Sequence, residues 1–153
     1  MSDYSFSKIT PLINELWESC INNSVINPDL YSQFDVKRGL RDINGNGVVA
    51  GLTNISTIKA TKIVDGKTVH CDGKLYYRGI DVEDIVSGFI KEKRFGFEET
   101  IYILLFGKLP SRHQLEDFKK LLADFRVLPT SFTRDVIMKS PSDNMMNTLA
   151  KSV

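Results

Sequence analysis

The distribution of glycine divides this chain of 153 residues into three segments. Seven of its ten glycines lie between residues 39 and 79, where β-branched residues are frequent and helical spacing of apolar residues is absent. Glycine weakens helices and β-branched residues favour strands, so only this stretch is predicted to form a sheet. We therefore predict a mainly α-helical fold, in one structural unit, with N-terminal helices in residues 1–35, a small β-sheet segment in 36–79 and a helical core segment in 80–153.

Asn-Gly and Asp-Gly pairs indicate where the chain turns inside the middle segment, because these residues tolerate a positive φ. Turns are predicted at residues 44–47, 65–67 and 72–74. Three short strands beside them are predicted at 48–52, 57–63 and 74–77. The result is a small antiparallel β-sheet near residues 48–77, with His70 and Cys71 at a hairpin tip.

Capping signals place the helices on either side of the sheet. Thr10 before Pro11, Asp81 before an acidic turn, and Ser111 with Gln114 in a capping box are each typical of a helix start. Gly107 can end an apolar helix that we expect to be buried. Helices are predicted at about 11–22, 28–34, from 82 onward, 97–106, 111–125, from 130 or 131 to 137, and from about 142 to 153.

Composition excludes several broad classes of function. The chain has 20 basic and 19 acidic residues, so no overall field attracts nucleic acid or an anionic membrane. No apolar run approaches the length of roughly 20 residues that a membrane helix needs. Two distant cysteines and a polar N-terminal stretch favour a reduced, cytoplasmic protein without a disulfide framework.

Few residues point to chemistry when they are considered singly. His70 and His113 lie in no metal-ligand or catalytic-triad spacing, and we predict no metal site. The GNG at 45–47 lacks the lysine of a P-loop. Three cations, Lys37, Arg38 and Arg41, surround Gly39, where they form either a solvated positive loop or a contact for a phosphate-bearing ligand.

Arg78 stands between a predicted strand and a predicted helix. Tyr76 and Tyr77 precede it and Gly79 follows it. An arginine at the head of an acidic helix is expected to pair with Asp81 or Asp84. We therefore predict a structural role for Arg78.

Several segments together resemble one protein family. In chain order they are "DVKRGLR" at 35–41, "GVVAGLTNIS" at 47–56, "DGKLYYRGIDVEDIV" at 72–86, "FEETIYILLFGKLPSRHQLEDF" at 97–118 and "LP" at 128–129. Residues 36–153 resemble the N-terminal part of citrate synthases, in which a short sheet ending in Y-R-G leads into a helical core. The family's H-P-M motif falls at Asn144, Met145 and Met146, so this sequence departs from the family there.

The resemblance implies a helical homodimer that condenses acetyl-CoA, or another short acyl-CoA, with oxaloacetate to give citrate and CoA. No cofactor is implied, because acyl-CoA is a substrate. The family's catalytic aspartate and two histidines fall beyond the equivalent of Val153, so no catalytic residue is expected in this chain. The last helix also lacks a C-terminal stop signal, and we expect a fragment truncated before the catalytic part.

The resemblance also assigns a binding residue. An arginine in the family's R-G segment before the sheet approaches CoA, and Arg38 with Gly39 matches it. We therefore predict that Arg38 binds CoA. The alternative to an enzyme fragment is a self-standing helical association module without catalysis.

Overall fold

The computed structural model describes residues 9–139 and 141–152. Its helices are α1 (Pro11–Ser24), α2 (Asp29–Gln33), α3 (Val82–Lys91), α4 (Phe97–Phe106), α5 (Arg112–Asp124) and α6 (Met145–Ser152), with a π-helical turn at Thr133–Ile137. Its strands are β1 (Ser56–Val64), β2 (Lys67–Tyr77) and β3 (Ile80–Asp81). The predicted fold class is confirmed. None of the helices in the described ranges combines the length and the apolar character needed to cross a lipid bilayer.

A division after Phe118 separates the described residues into two compact units. The first contains the sheet, α1 to α4 and the part of α5 up to Phe118. The second contains the π-helical turn and α6.

The sheet is an antiparallel meander in the order β1-β2-β3. Asp65 and Gly66 connect β1 to β2 with φ values of 49° and 73°. Arg78 and Gly79 connect β2 to β3 with φ values of 50° and 83°. Positive φ at both central residues matches the twist of paired strands, which explains a glycine second in each turn.

The first predicted strand, at 48–52, is wrong. Residues 48–53 lie outside the sheet, and the Val49 carbonyl accepts a hydrogen bond of 2.8 Å from the Lys37 backbone N–H. This segment therefore forms part of a loop in spite of its strand-like sequence. Its backbone groups hydrogen-bond to residues 37–40, which lie just before it in the chain.

The predicted turn at 72–74 is also wrong. Lys59 pairs with Lys74 and Thr61 pairs with His70, so one residue of β1 faces three residues of β2, at 71–73. Residues 71–73, which include Gly73, therefore form a β-bulge within β2, and the chain does not reverse its direction there. His70 consequently lies within β2 and not at a hairpin tip, and the nearby Cys71 is a free cysteine.

The predicted helix starts are confirmed where a local cap signalled them. The Thr10 hydroxyl accepts a hydrogen bond of 3.3 Å from the Ile13 N–H. The Asp81 carboxylate accepts one of 2.9 Å from Glu83. Ser111 and Gln114 form both bonds of the capping box, at 2.9 and 3.2 Å.

The last two helical segments differ from their predicted starts. No side-chain cap precedes the π-helical turn in the described residues, so the predicted cap by Thr130 or Ser131 is wrong. Helix α6 begins at Met145, where the Asn144 side chain accepts from the Asn147 N–H at 3.1 Å. The predicted end of this helix at Val153 lies outside the described residues.

The apolar core of the first unit is built around α4, as the sequence predicts. Ile103 is completely buried, and the rings of Tyr102, Phe106 and Phe118 meet edge to face with centroids 4.6 to 5.8 Å apart. Such aromatic pairs add roughly 0.5–1.5 kcal/mol each to their burial. These contacts pack Phe118 of α5 against α4.

Arg78 joins distant parts of the first unit. Its Nε donates to the Leu104 carbonyl at 3.0 Å, and its Nη1 donates to the Asn23 carbonyl at 2.9 Å and to Asn54 Oδ1 at 2.8 Å. Asn23 and Leu104 lie in the last turns of α1 and α4, whose carbonyls have no intrahelical partner. One guanidinium therefore caps two helices, where the helix dipoles favour a cation. We call these four residues the Arg78 junction.

The predicted partners of Arg78 are wrong, although its structural role is confirmed. Within the described residues, neither Asp81 nor Asp84 pairs with it. Asp81 instead lies 3.4 Å from Lys74, which also contacts Glu83 at 2.6 Å. The left-handed backbone of Arg78 directs its side chain to the helix ends.

The hydrogen bond from Lys74 to Glu83 is the main reason that the pKa of Lys74 is raised.

Gly107 allows α1 and α4 to end side by side. Its φ of 72° is left-handed, and a Cβ here would lie 2.8 Å from Asn23 Oδ1. A side chain here would shift the Asn23 side-chain amide, next to the Asn23 backbone carbonyl that accepts from Asn54 Nδ2 at 2.8 Å. Glycine is therefore favoured at position 107 chiefly by its left-handed conformation.

Replacing Arg78 with alanine is expected to destabilise the protein. The change leaves the helix-end carbonyls without their charged donor, and we expect a loss of about 2 to 3 kcal/mol. Urea denaturation followed by circular dichroism measures it. The control is Arg112→Ala, because the Arg112 side chain is 95% exposed. If both variants lost equally little stability, the capping role of Arg78 would be refuted.

Candidate functional site

The candidate site is the loop of residues 36–49, between α2 and the sheet. The backbone N–H of Lys37 bonds to the Val49 carbonyl at 2.8 Å, and Arg41 and Gly47 form an antiparallel bridge. The two sides of the loop are therefore held together. We call this segment the Arg38 loop.

An Asp42 turn closes the far end of the Arg38 loop. The Asp42 carboxylate accepts from the N–H groups of Asn44 at 2.9 Å and Asn46 at 2.8 Å. The Asn46 bond is the main reason that the pKa of Asp42 is lowered. The predicted turn at 44–47 is thus confirmed, and its hydrogen bonds stabilise the ionised carboxylate.

The three predicted cations of this loop have different surroundings. Lys37 Nζ lies 2.5 Å from an Asp35 carboxylate oxygen, and Arg41 Nη1 donates to the Gly45 carbonyl at 2.7 Å. Arg38 is exposed and has no hydrogen bond or ion pair in the described ranges. Of the three, Arg38 is therefore the cation left available to an incoming anion.

The chemistry that this loop can perform is binding. A free guanidinium offers a fork of N–H donors that suits a phosphate or a carboxylate. Residues 36–49 contain no histidine, cysteine or glutamate, and the carboxylate of Asp42 already accepts from the Asn44 and Asn46 N–H groups. The contact of Arg38 with CoA stays a prediction.

The histidines are not brought together. His70 lies on β2 and His113 lies in the first turn of α5, where its side chain is 87% exposed. The described residues contain no group of three histidine, cysteine or acidic side chains suited to a metal ion.

Two features escaped the sequence analysis. The partners of Arg78 are backbone carbonyls as far as 55 residues away, which no local pattern indicates. A cavity of about 250 Å³ between α1, α4 and α5 contains Glu15 and Asp117. The sequence signal for it is an acidic residue next to the apolar face of α1 and another next to that of α5, namely Glu15 and Asp117.

Comparison with known proteins identifies the family. The family model for the citrate synthase C-terminal domain matches residues 41–153. A citrate synthase of Saccharolobus solfataricus is 40% identical over 84 residues, which cover 52% of this chain and 19% of the relative. The 2-methylcitrate synthase 1 of Corynebacterium glutamicum is 35% identical over 97 residues, covering 63% of this chain and 20% of the relative.

A 2-methylcitrate synthase of Shewanella oneidensis is similar at 32% identity over 97 residues, covering 63% of this chain and 21% of the relative. The chain thus spans about a fifth of the length of these relatives. The family model nevertheless matches well over half of the chain. The chain therefore belongs to the citrate synthase family.

Proposed function

We propose that this chain is the N-terminal part of an acyltransferase that condenses acetyl-CoA, or another short acyl-CoA, with oxaloacetate. The acyl methyl carbon loses a proton and bonds to the ketone carbon, and water then cleaves the thioester to give citrate and CoA. The family match over residues 41–153 is the observation that carries the proposed reaction, and the placement in the N-terminal part rests on the order of the resembling segments. The relatives named for citrate and for 2-methylcitrate support both acetyl and longer acyl groups.

The role of these residues in the reaction is support and binding. Proton removal and enol stabilisation need a positioned base and hydrogen-bond donors around the reacting carbon. The described residues bring no such set together, and the resemblance assigns those groups to positions beyond Val153. Arg38 is the contact that we propose for CoA, through one of its phosphates.

We also propose that the enzyme is a homodimer. Helix α6 presents Met145, Met146 and Leu149 with 77%, 72% and 55% of their surface exposed. Apolar faces of this kind are usually covered by a partner. The same face fits the alternative function, a helical association module.

The 153-residue chain alone is expected to be inactive. Purified chain mixed with acetyl-CoA and oxaloacetate should release free CoA thiol no faster than a blank without protein, because binding groups cannot replace the missing base. A thiol reagent measures the release. The matched positive control is the longer protein that contains this chain, which should release thiol only when both substrates are present.

Thiol release by the 153-residue chain that depends on oxaloacetate would contradict the division of roles proposed here. Absence of release by the longer protein would contradict the proposed reaction itself and favour the association module.

Replacing Arg38 with alanine in the longer protein is expected to raise the KM for acyl-CoA and leave that for oxaloacetate nearly unchanged. A phosphate contact far from the reacting carbon contributes equally to ground-state and transition-state binding. The lost charged hydrogen bond corresponds to about 1 to 3 kcal/mol, or roughly 5- to 160-fold in KM. Steady-state kinetics with each substrate varied in turn measures both constants.

Arg112→Ala is the matched control, because it removes an exposed guanidinium outside the Arg38 loop. Equal changes in both KM values, or unchanged kinetics with a lower melting temperature, would place Arg38 among structural residues.

A further inference from the structure

The Arg38 loop contains a sequence that is chemically reactive in water. Two asparagines of the chain are followed by glycine, and both of these Asn-Gly pairs are exposed in this loop. Glycine has no Cβ to hinder its backbone nitrogen as that nitrogen approaches the preceding side-chain amide. The pairs are Asn44 with Gly45 and Asn46 with Gly47.

The backbone nitrogens of the two glycines differ in their hydrogen bonds. The Gly45 N–H donates to the Asp42 carbonyl at 3.0 Å. The Gly47 N–H has no hydrogen bond among the described residues, because Gly47 and Arg41 form a pair whose ladder bonds are made by the residues on either side of them. Loss of the proton from this nitrogen therefore breaks a hydrogen bond at Gly45 and none at Gly47.

The Asn46 side chain is held by one exposed hydrogen bond in the described part of the chain. Its Nδ2 donates to Asp42 Oδ2 at 3.1 Å. Water replaces such a bond at little net cost, so the side chain can rotate toward the Gly47 nitrogen. The space around Gly47 is open as well, since a Cβ built there would meet no atom within 4 Å.

We propose that Asn46 is a site of spontaneous deamidation in the folded chain and that it reacts faster than Asn44. The Gly47 nitrogen loses its proton to water and bonds to Asn46 Cγ. The Cγ–Nδ2 bond breaks, and Nδ2 takes up a proton and leaves as ammonia. Water then opens the cyclic succinimide at either carbonyl carbon and gives aspartate or isoaspartate at position 46. Overall, one water is consumed and one ammonia is released.

This modification changes the charge of the Arg38 loop, which the proposed condensation does not require. It removes the Nδ2 donor to Asp42 and places a second carboxylate next to that of Asp42, where like charges repel each other. Isoaspartate also lengthens the main chain between the Asn46 N–H, which donates to the Asp42 carboxylate, and the carbonyl that accepts from the Asp42 N–H. Both effects weaken the Asp42 turn that closes the loop.

Ageing of the 153-residue chain at mildly alkaline pH in oxygen-18 water, followed by trypsin digestion and mass spectrometry, tests the proposal. Products formed in the folded chain carry the label, and those formed during digestion in ordinary water do not. Cleavage after Arg41 and Lys59 gives one peptide that contains Asn44, Asn46 and Asn54. We expect Asn46 to react about three- to tenfold faster than Asn44, the factor that one ordinary hydrogen bond provides. Asn54, which precedes Ile55, is the internal control and should stay intact.

The synthetic peptide of residues 42–59 separates the effect of the fold from that of the sequence. It contains both Asn-Gly pairs without the hydrogen bonds of the loop, so the two asparagines should react at similar rates.

Gly47→Ala is the matched variant, because Gly47 lies outside the left-handed region and has room for a Cβ. It should slow deamidation of Asn46 at least about fivefold and leave that of Asn44 unchanged, since the new methyl group hinders only the Gly47 nitrogen.

Equal rates at Asn44 and Asn46 in the folded chain, or a faster reaction at Asn44, would overturn the proposal. So would an intact Asn46 in the folded chain under conditions in which the peptide reacts. An unchanged Asn46 rate in Gly47→Ala would exclude attack by this nitrogen.

Asn46→Asp tests the effect on the loop, because it carries the aspartate product from the start. Native-state trypsin cleavage after Arg41 should be at least about twofold faster than in the wild type, since proteolysis follows the population of the open loop. The control is Asn44→Asp, which adds the same charge at a side chain without a hydrogen bond in the described ranges. Equal acceleration in both variants would refute the specific weakening of the Asp42 turn.

Discussion

The Arg78 guanidinium is the interaction on which the first unit depends. It connects the ends of α1 and α4 to the segment that leads into β1, through bonds to Asn23, Leu104 and Asn54. Its own backbone N–H bonds to the Ile55 carbonyl at 2.8 Å. Few side chains are fully buried here, so specific polar contacts carry more of the organisation than in a domain with a larger core.

The turn that carries Arg78 explains why an arginine and a glycine occur together. A two-residue connection between β2 and β3 needs a positive φ at both positions. Gly79 adopts it freely, whereas Arg78 adopts it at a steric cost, and in this conformation its side chain bonds to Asn23, Asn54 and Leu104. The same sequence signature that marks the family is thus explained by a physical requirement of the fold.

The sequence predicted those features whose cause is local. The caps at Thr10, Asp81 and Ser111 involve groups within four positions, so their residue types suffice. The predictions of a strand at 48–52 and a turn at 72–74 were wrong, because backbone pairing depends on which other segment of the chain lies next to a strand. Arg78 shows the same limit. Carboxylates close to it in sequence were predicted as its partners, whereas its side chain bonds to carbonyls that are distant in sequence. The proposed role of Arg38 comes from resemblance and charge, and the structure adds that its guanidinium has no partner among residues 9–139 and 141–152.

Amide hydrogen exchange in the wild-type chain and in Arg78→Ala tests the central claim about the junction most directly. If one guanidinium holds these elements together, its loss should reduce protection in the last turn of α1, the last turn of α4 and the start of β1 by similar free energies. Protection in α6, which lies in the second unit, should be unchanged. A loss confined to the residues next to position 78 would contradict the account.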